Sequence, residues 1–221
     1  MAVVRHENGL PTHLKVHFAE VESKIIETLA WGDGSPLHAL MSEYDAALSA
    51  DEGGAAAQPG PSRAKAALEQ FVKKCLYLAA KRIQDLCLRL LLPSALTQQV
   101  WEVAKLVIDS ARYLLKGRHL DQILMCAVYG VCKVNQPATQ KSVTFRHIIE
   151  QYKRQPSASQ KTFREVRMRT LDEEPQDIIA FYNLIFIPAM KEHLLLVHAH
   201  VHAHVHVHAH VHAHVHVHVH A

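Results

Sequence analysis

Gln122, Cys126, Tyr129 and Lys133 stand four, three and four positions apart, so on an α-helix they share one face. That stripe passes from polar amide through soft thiol and aromatic ring to cation, which is the chemistry of a recognition surface rather than of a reacting centre. A second stripe of the same stretch, Leu120, Ile123, Leu124, Ala127, Val131 and Val134, is wholly apolar and faces a core. A helix with two non-solvated stripes is buried on one side and lines a groove on the other, or else Tyr129 and Cys126 are ordinary core residues. Asn183 poses a related question. It lies in the apolar run IIAFYNLIF, and an amide buried there without partners costs about 1–3 kcal/mol. Its donor and acceptor either satisfy a carbonyl of its own chain or meet the backbone of an extended peptide. Enzymatic chemistry has less support. His6, His13, His17, His38, His119, His147 and His193 are scattered, no nucleophile–base spacing or glycine-rich phosphate loop is present, and we expect no enzyme activity, cofactor or metal site.

The elements that would position these residues are helices. Leu14, Phe18, Val21, Ile25 and Leu29 form an amphipathic stripe ended by Gly32, and Ser35-Pro36 has the form of an N-cap and first-turn proline opening a second helix with Leu37, Leu40, Met41, Tyr44 and Leu48. Two helices enclose little apolar surface, so these stripes need a partner. Residues 51–66, rich in Ala, Gly and Pro, read as a flexible linker. A long helix follows from Leu68 to about Leu91, with Leu68, Phe71, Cys75, Ala79, Ile83, Leu86 and Leu90 inward and Lys73, Lys74, Lys81, Arg82 and Arg89 on its other faces. Pro93 stops it. Further helices are expected over 96–115, over 118–134, from Thr144 as N-cap to Pro156, in a short piece capped by Ser159 and bearing Phe163 and Val166, and after the acidic 172–175 run, with Pro188 kinking or ending the last one. No strand pattern intervenes, so the fold class is all-α, a helical bundle.

Bulk properties narrow the partners. A formal net charge of +3 over 221 residues is too small to indicate nucleic acid, which usually needs a concentrated basic stripe. Cys75, Cys87, Cys126 and Cys132 fall inside apolar helical patterns without a CxxC pair, as reduced, buried thiols of an intracellular protein do. No apolar run reads as membrane-spanning and no signal-peptide region opens the chain. The last stretch, 197–221, alternates His with Val or Ala and holds twelve histidines. It has the look of a translated dinucleotide repeat, which argues against a selected role, although imidazoles at alternate positions share one side of a strand and could chelate a metal.

Three long runs, in order, resemble the retinoblastoma pocket-protein family. RHLDQILMCAVYGVCKV at 118–134 is similar to the central helix of the pocket's B half, IIAFYNLIFIPAMK at 178–191 to its later helix, and HFAEVESKIIETLAWGDGSPLHAL at 17–40 to the end of the A half. The resemblance implies a cyclin-box-like bundle of five core helices plus additional ones. It implies the domain plan 1–50 as a remnant of pocket A, 51–66 as linker, 67–196 as pocket B and 197–221 as low-complexity tail. It implies a non-enzymatic nuclear adaptor, a transcriptional corepressor restraining the G1-to-S transition by binding Leu-x-Cys-x-Glu partners: D-type cyclins, chromatin modifiers and viral proteins. In that groove Tyr129 and Tyr182 would be walls, Asn183 the clamp on the peptide backbone, and Cys126 and Lys133 would flank the floor. The first-turn amides of Phe145 and Arg146 would receive the peptide's glutamate, and Lys141, Arg146 and Lys191 would form a basic rim. A second site, Glu22, Lys73 and Lys74, would take S-phase transcription factors only if pocket A is supplied. No direct binding of nucleic acid or membrane is implied. Pro188 resembles plant and algal members rather than animal ones, the loop between Cys132 and Phe145 looks longer than in animals, and the tail replaces a basic C-terminal region. The missing part of A suggests a truncated product without function, and a cyclin-like subunit docking a kinase is the other alternative.

Overall fold

The computed structural model describes residues 11–51, 63–136, 143–169 and 173–199. Of the expected linker 51–66, residues 52–62 lie outside them, as do Lys141 and the tail beyond Ala199; Asp51 and residues 63–66 are helical instead, as the end of one helix and the start of the next. The described residues are helical throughout, apart from turns and one isolated antiparallel bridge between Val166 and Gln176. The all-α, cyclin-box-like expectation therefore holds. The chain divides into two compact units, Met1–Leu78 and Ala79–Ala221, and the division falls inside a helix.

The first unit contains α1 (Thr12–Glu27), a 3₁₀ turn (Leu29–Trp31), α2 (Leu37–Asp51) and the opening part of α3 (Arg63–Arg89). Trp31 organises it. Its indole Nε1 donates to the Ile26 carbonyl at 2.7 Å, and its ring lies 5.7 Å from that of Phe71. His38 Nε2 donates to the Trp31 and Gly32 carbonyls at 3.2 and 3.0 Å, and Ser35 Oγ accepts from the Leu37 N–H as the expected cap. The stripe read as the inward face of α1 is not covered: Phe18 is 56% exposed, and Val21, Ile25 and Leu29 are also exposed. Two helices and a turn offer too little surface to close over it, and Ile26 and Trp31 form the buried side instead.

In the second unit α3 continues with Ala79, Ile83, Leu86, Cys87 and Leu90 buried. Leu91, at φ 54°, turns the chain out of it, and α4 (Ser94–Asp109) follows. This helix stops earlier than its apolar pattern suggested. A 3₁₀ turn, Arg112–Leu114, and Gly117 in the left-handed region at φ 68° reverse the chain into α5 (Leu120–Val134). α6 (Phe145–Tyr152) and α7 (Gln160–Arg164) have the expected Thr144 and Ser159 caps. Arg82, read as a surface cation, is instead buried and bound to Asp121.

α8 spans Ile178–Ala199 in three pieces, an α turn Ile178–Phe181, a π turn Tyr182–Phe186 and an α-helix to Ala199. Asp177, not the acidic run before it, caps its start by accepting from the Ala180 N–H; Glu173 from that run bonds back to the Arg169 N–H. Pro188 does not end the helix. At 22 residues and mean hydropathy 1.3, α8 is long and apolar enough to cross a membrane by length and composition, contrary to the sequence reading. Its apolarity has a use within the unit, because Ile178, Phe181, Phe186, Met190 and Leu194 are buried there.

Candidate functional site

The site is built on α5, and the fixing of α5 begins at its N-terminus. His119 caps the helix: its Nδ1 accepts from the Asp121 N–H at 3.1 Å, while Gln122 Oε1 accepts from the His119 N–H at 2.9 Å. Gln122 also donates through Nε2 to the Thr162 carbonyl at 2.9 Å, so this member of the expected groove stripe is a structural tie to α7. Arg82 Nη1 reaches Asp121 Oδ1 at 2.6 Å with both side chains almost fully buried. Capped, cross-linked to α3 and tied to α7, the helix presents its later residues in a fixed orientation.

Cys126 is completely buried. Burial pushes its thiol well above its ordinary pKa, an effect partly offset by the Arg118 charge. It supports the surface from beneath and offers nothing to a ligand, so the second stripe of α5 is not continuously open. Tyr129, one turn on, is half-buried. Its ring stacks on Phe145 at 4.2 Å and 28°, and meets the edge of Tyr182 at 4.9 Å and 85°. Phe145 and Tyr182 pack edge to face at 5.3 Å, and Tyr182 stacks on Phe186 at 5.9 Å. These are favourable aromatic geometries, and they place α5, α6 and the π turn around one cluster. Tyr182 is only 6% exposed, so it braces Tyr129 instead of standing as a free wall; burial raises its phenol pKa, with the Tyr129 and Cys126 charges adding to the rise. Asn183 is exposed beside it, and Lys133 is exposed one turn beyond Tyr129.

Of the two readings of Asn183, a buried amide satisfied by its own chain and an amide open to a partner, the exposed position excludes the first. The π turn explains its position. Pro188 has no N–H for the carbonyl of Leu184 four residues back. The Ile187 N–H bonds to the Tyr182 carbonyl in the wider π register, and Arg169 Nη2 reaches the Leu184 carbonyl at 3.5 Å. The extra residue in the turn carries Asn183 to the surface while Tyr182 and Phe186 stay inside.

At α6 the Thr144 hydroxyl takes the His147 N–H at 3.2 Å. No described acceptor meets the N–H groups of Phe145 and Arg146. Arg146 is well exposed and pairs with Glu150 at 3.2 Å, and Lys191 is exposed. The remaining expected residues, Glu22, Lys73 and Lys74, lie in the first unit. Glu22 and Lys74 form an ion pair there, each about half exposed, and Lys73 is exposed. All four cysteines are free and buried. Among the described residues no group of three or more His, Cys, Asp or Glu could hold a metal.

Two contributors escaped the sequence reading. A Cβ on Gly130 would lie 3.0 Å from Leu194 Cδ1, so this glycine permits the close approach of α8 behind Tyr129; a glycine inside an apolar helical pattern was the available signal. Arg169 carried none, because its carbonyl partner is defined only by the π turn.

The described site is thus a cluster of three aromatic rings with an exposed amide at Asn183 and exposed cations at Lys133, Arg146 and Lys191. The Retinoblastoma-associated protein B domain matches residues 67–191 and the Retinoblastoma-associated protein A domain residues 2–41. The chain is 36% identical over 146 residues to Retinoblastoma-related protein 3 of Zea mays, and 35% over 144 residues to the Retinoblastoma-related protein of Cocos nucifera, in each case 62% of this chain and 14% of the relative. Retinoblastoma-related protein 2 of Oryza sativa subsp. japonica is 39% identical over 131 residues, 57% of this chain and 13% of that protein. The chain thus spans only about one seventh of the length of these relatives. With its B-domain match covering more than half of its residues, the chain belongs to the retinoblastoma-associated pocket-protein family.

Proposed function

We propose that this chain is a non-enzymatic adaptor whose second unit holds Leu-x-Cys-x-Glu peptides on the Tyr129–Phe145–Tyr182 shelf, serving in the nucleus as a corepressor that restrains the G1-to-S transition. The observation that carries this reading is the exposed Asn183 beside three mutually packed aromatic rings. Its side-chain amide donates and accepts at once, matching the backbone of an extended strand. The peptide's apolar residues would rest on Tyr129, with Cys126 and Tyr182 supporting it from below. Its glutamate would meet the Phe145 and Arg146 N–H groups, where the positive end of α6 favours a carboxylate. Lys133, Arg146 and Lys191 would raise the on-rate for partners with acidic flanks. The domain plan is pocket B over 67–196 preceded by the end of pocket A. Glu22, Lys73 and Lys74 would serve transcription-factor binding only with the rest of an A half present.

The test is titration of a labelled Leu-x-Cys-x-Glu peptide against the protein and the Asn183→Ala variant, whose exposed position leaves the fold intact. Removing the clamp costs about 1–3 kcal/mol, a weakening of about 5- to 150-fold. Equal affinity for the two proteins, or no binding to either, rejects the shelf as the peptide site.

A further inference from the structure

α1 carries an apolar stripe that the described residues leave uncovered. Leu14, Phe18, Val21 and Ile25 stand four, three and four positions apart, the spacing of the a and d positions of a two-helix seam. Phe18, Val21 and Ile25 are 56%, 41% and 43% exposed, and Leu29, one turn on, is 61% exposed. The buried side of the helix, at Ile26, lies on a neighbouring face. The charges of α1 are arranged against its own dipole. Its first half holds Lys15 with His13 and His17, and no acidic residue lies in the first turn; its second half holds Glu20, Glu22 and Glu27 against Lys24 alone. A helix by itself prefers the reverse order. A second copy running the opposite way corrects the mismatch. It lays the basic half of one helix beside the acidic half of the other and opposes the two dipoles.

We propose that two copies of this chain pair through α1, antiparallel, along the stripe of Leu14, Phe18, Val21 and Ile25. In that register Phe18 of each copy packs against the partner's Val21, and Leu14 against the partner's Ile25. Lys15 and Glu22 directly follow Leu14 and Val21, at flanking positions that form ion pairs across a seam. Lys15 of each copy therefore meets the partner's Glu22, twice per dimer. Glu22 keeps its pair with Lys74 within its own chain, and its side chain is still about half exposed. A parallel pair would instead set the two basic halves side by side. With two lysines and three glutamates, α1 has no single sign of charge to select a strongly acidic or basic partner, and its complement is itself. The seam runs over about two heptads, about 20 Å, so the dimer belongs to the weak, reversible class.

The experiment is sedimentation velocity of the full chain from low to high micromolar concentration, with helical circular dichroism confirming that each variant is folded. The wild type should shift from monomer to dimer over this range. Phe18→Lys, at an exposed position, should hold the chain monomeric. Lys15→Glu and Glu22→Lys should each weaken the dimer about tenfold, since each brings like charges together at two contacts. The double variant, Lys15→Glu with Glu22→Lys, should restore it, because the reversed charges meet again. A chain monomeric at every concentration overturns the proposal and leaves the stripe to a partner other than a second copy. A dimer that Phe18→Lys leaves intact, or a double variant as weak as the single ones, overturns it too. All these substitutions lie in the first unit and the readout is mass, so the result is independent of peptide binding by the second unit.

Discussion

Replacing Asp121 with alanine should unsettle the second unit more than any surface change. The Arg82 guanidinium lies 2.6 Å from Asp121 Oδ1, and the two side chains are 10% and 3% exposed. Neither charge has ready access to water, so removing the carboxylate takes the opposite charge away from a buried cation. Breaking such a pair from one side costs about 3–5 kcal/mol, a large part of the roughly 5–15 kcal/mol that holds a domain together. Removing both charges, as Arg82→Met with Asp121→Leu, leaves no ion to desolvate and should recover most of the loss. Urea unfolding followed by far-ultraviolet circular dichroism, for both single variants and the double, gives the coupling energy directly. Because the pair ties α3 to the first turn of α5, Asp121→Ala should also weaken peptide binding at Tyr129, at urea concentrations where most molecules remain folded. A destabilisation below about 1 kcal/mol for Asp121→Ala, or a double variant as unstable as the two single losses summed, would refute the view that this pair is a dry tie fixing α5.

Three further outcomes follow from the same structure. Gly117→Ala should destabilise by about 1–2 kcal/mol or more in the same urea assay, since an L-residue resists φ 68° and its Cβ would overlap the Arg167 side chain. Cys75, Cys87 and Cys132 have thiols pushed up to about 12, 11 and 12 by burial, and Cys126 is raised too; alkylation near pH 8 should be slow at all four in the native protein and fast in denaturant. The Asp85 carboxyl is held below its ordinary 3.8 chiefly by its hydrogen bond from Arg89, against the opposing effect of burial. Its contribution to stability is thus present above pH 3.8 and lost as the pH falls through its lowered folded value, so the stability gap between wild type and Asp85→Asn should narrow across that acid range.

Helices were legible where the apolar period repeated without interruption. Ile83, Leu86 and Leu90 of α3, and Val100, Ala104 and Val107 of α4, are buried as their spacing required. Thr144 and Ser159 were readable as caps because the bond each makes lies within its own turn. Long-range pairing was not readable. Arg82 and Asp121 are 39 positions apart, and nothing local distinguishes Arg82 from the solvated Lys81 beside it. The exposure of α1 was half visible, since periodicity showed an apolar stripe but could not say what, if anything, covers it. At the candidate site, the sequence marked Tyr182 as an open wall, and its depth was misjudged: the ring is buried. Period counting assumes a uniform helix, and the π turn changes the phase between Tyr182 and Phe186. Cys126 was misplaced for a different reason: α5 is enclosed on nearly all sides, so its two stripes do not mark an inside and an outside.

Pro188 and the widened turn before it together make α8 a two-phase object. An added residue in a regular α-helix would rotate everything after it by about 100°; the wider π turn takes that residue up, and Ile178 and Phe181 before it and Met190 and Leu194 after it are all buried. Rewinding these same residues as an uninterrupted α-helix would give a more regular backbone ladder, yet would turn its two ends about 100° out of phase, so that they could no longer both engage. The irregularity thus acts as a gear setting. It sacrifices local regularity to keep the core closed, and Asn183 faces outward as a result.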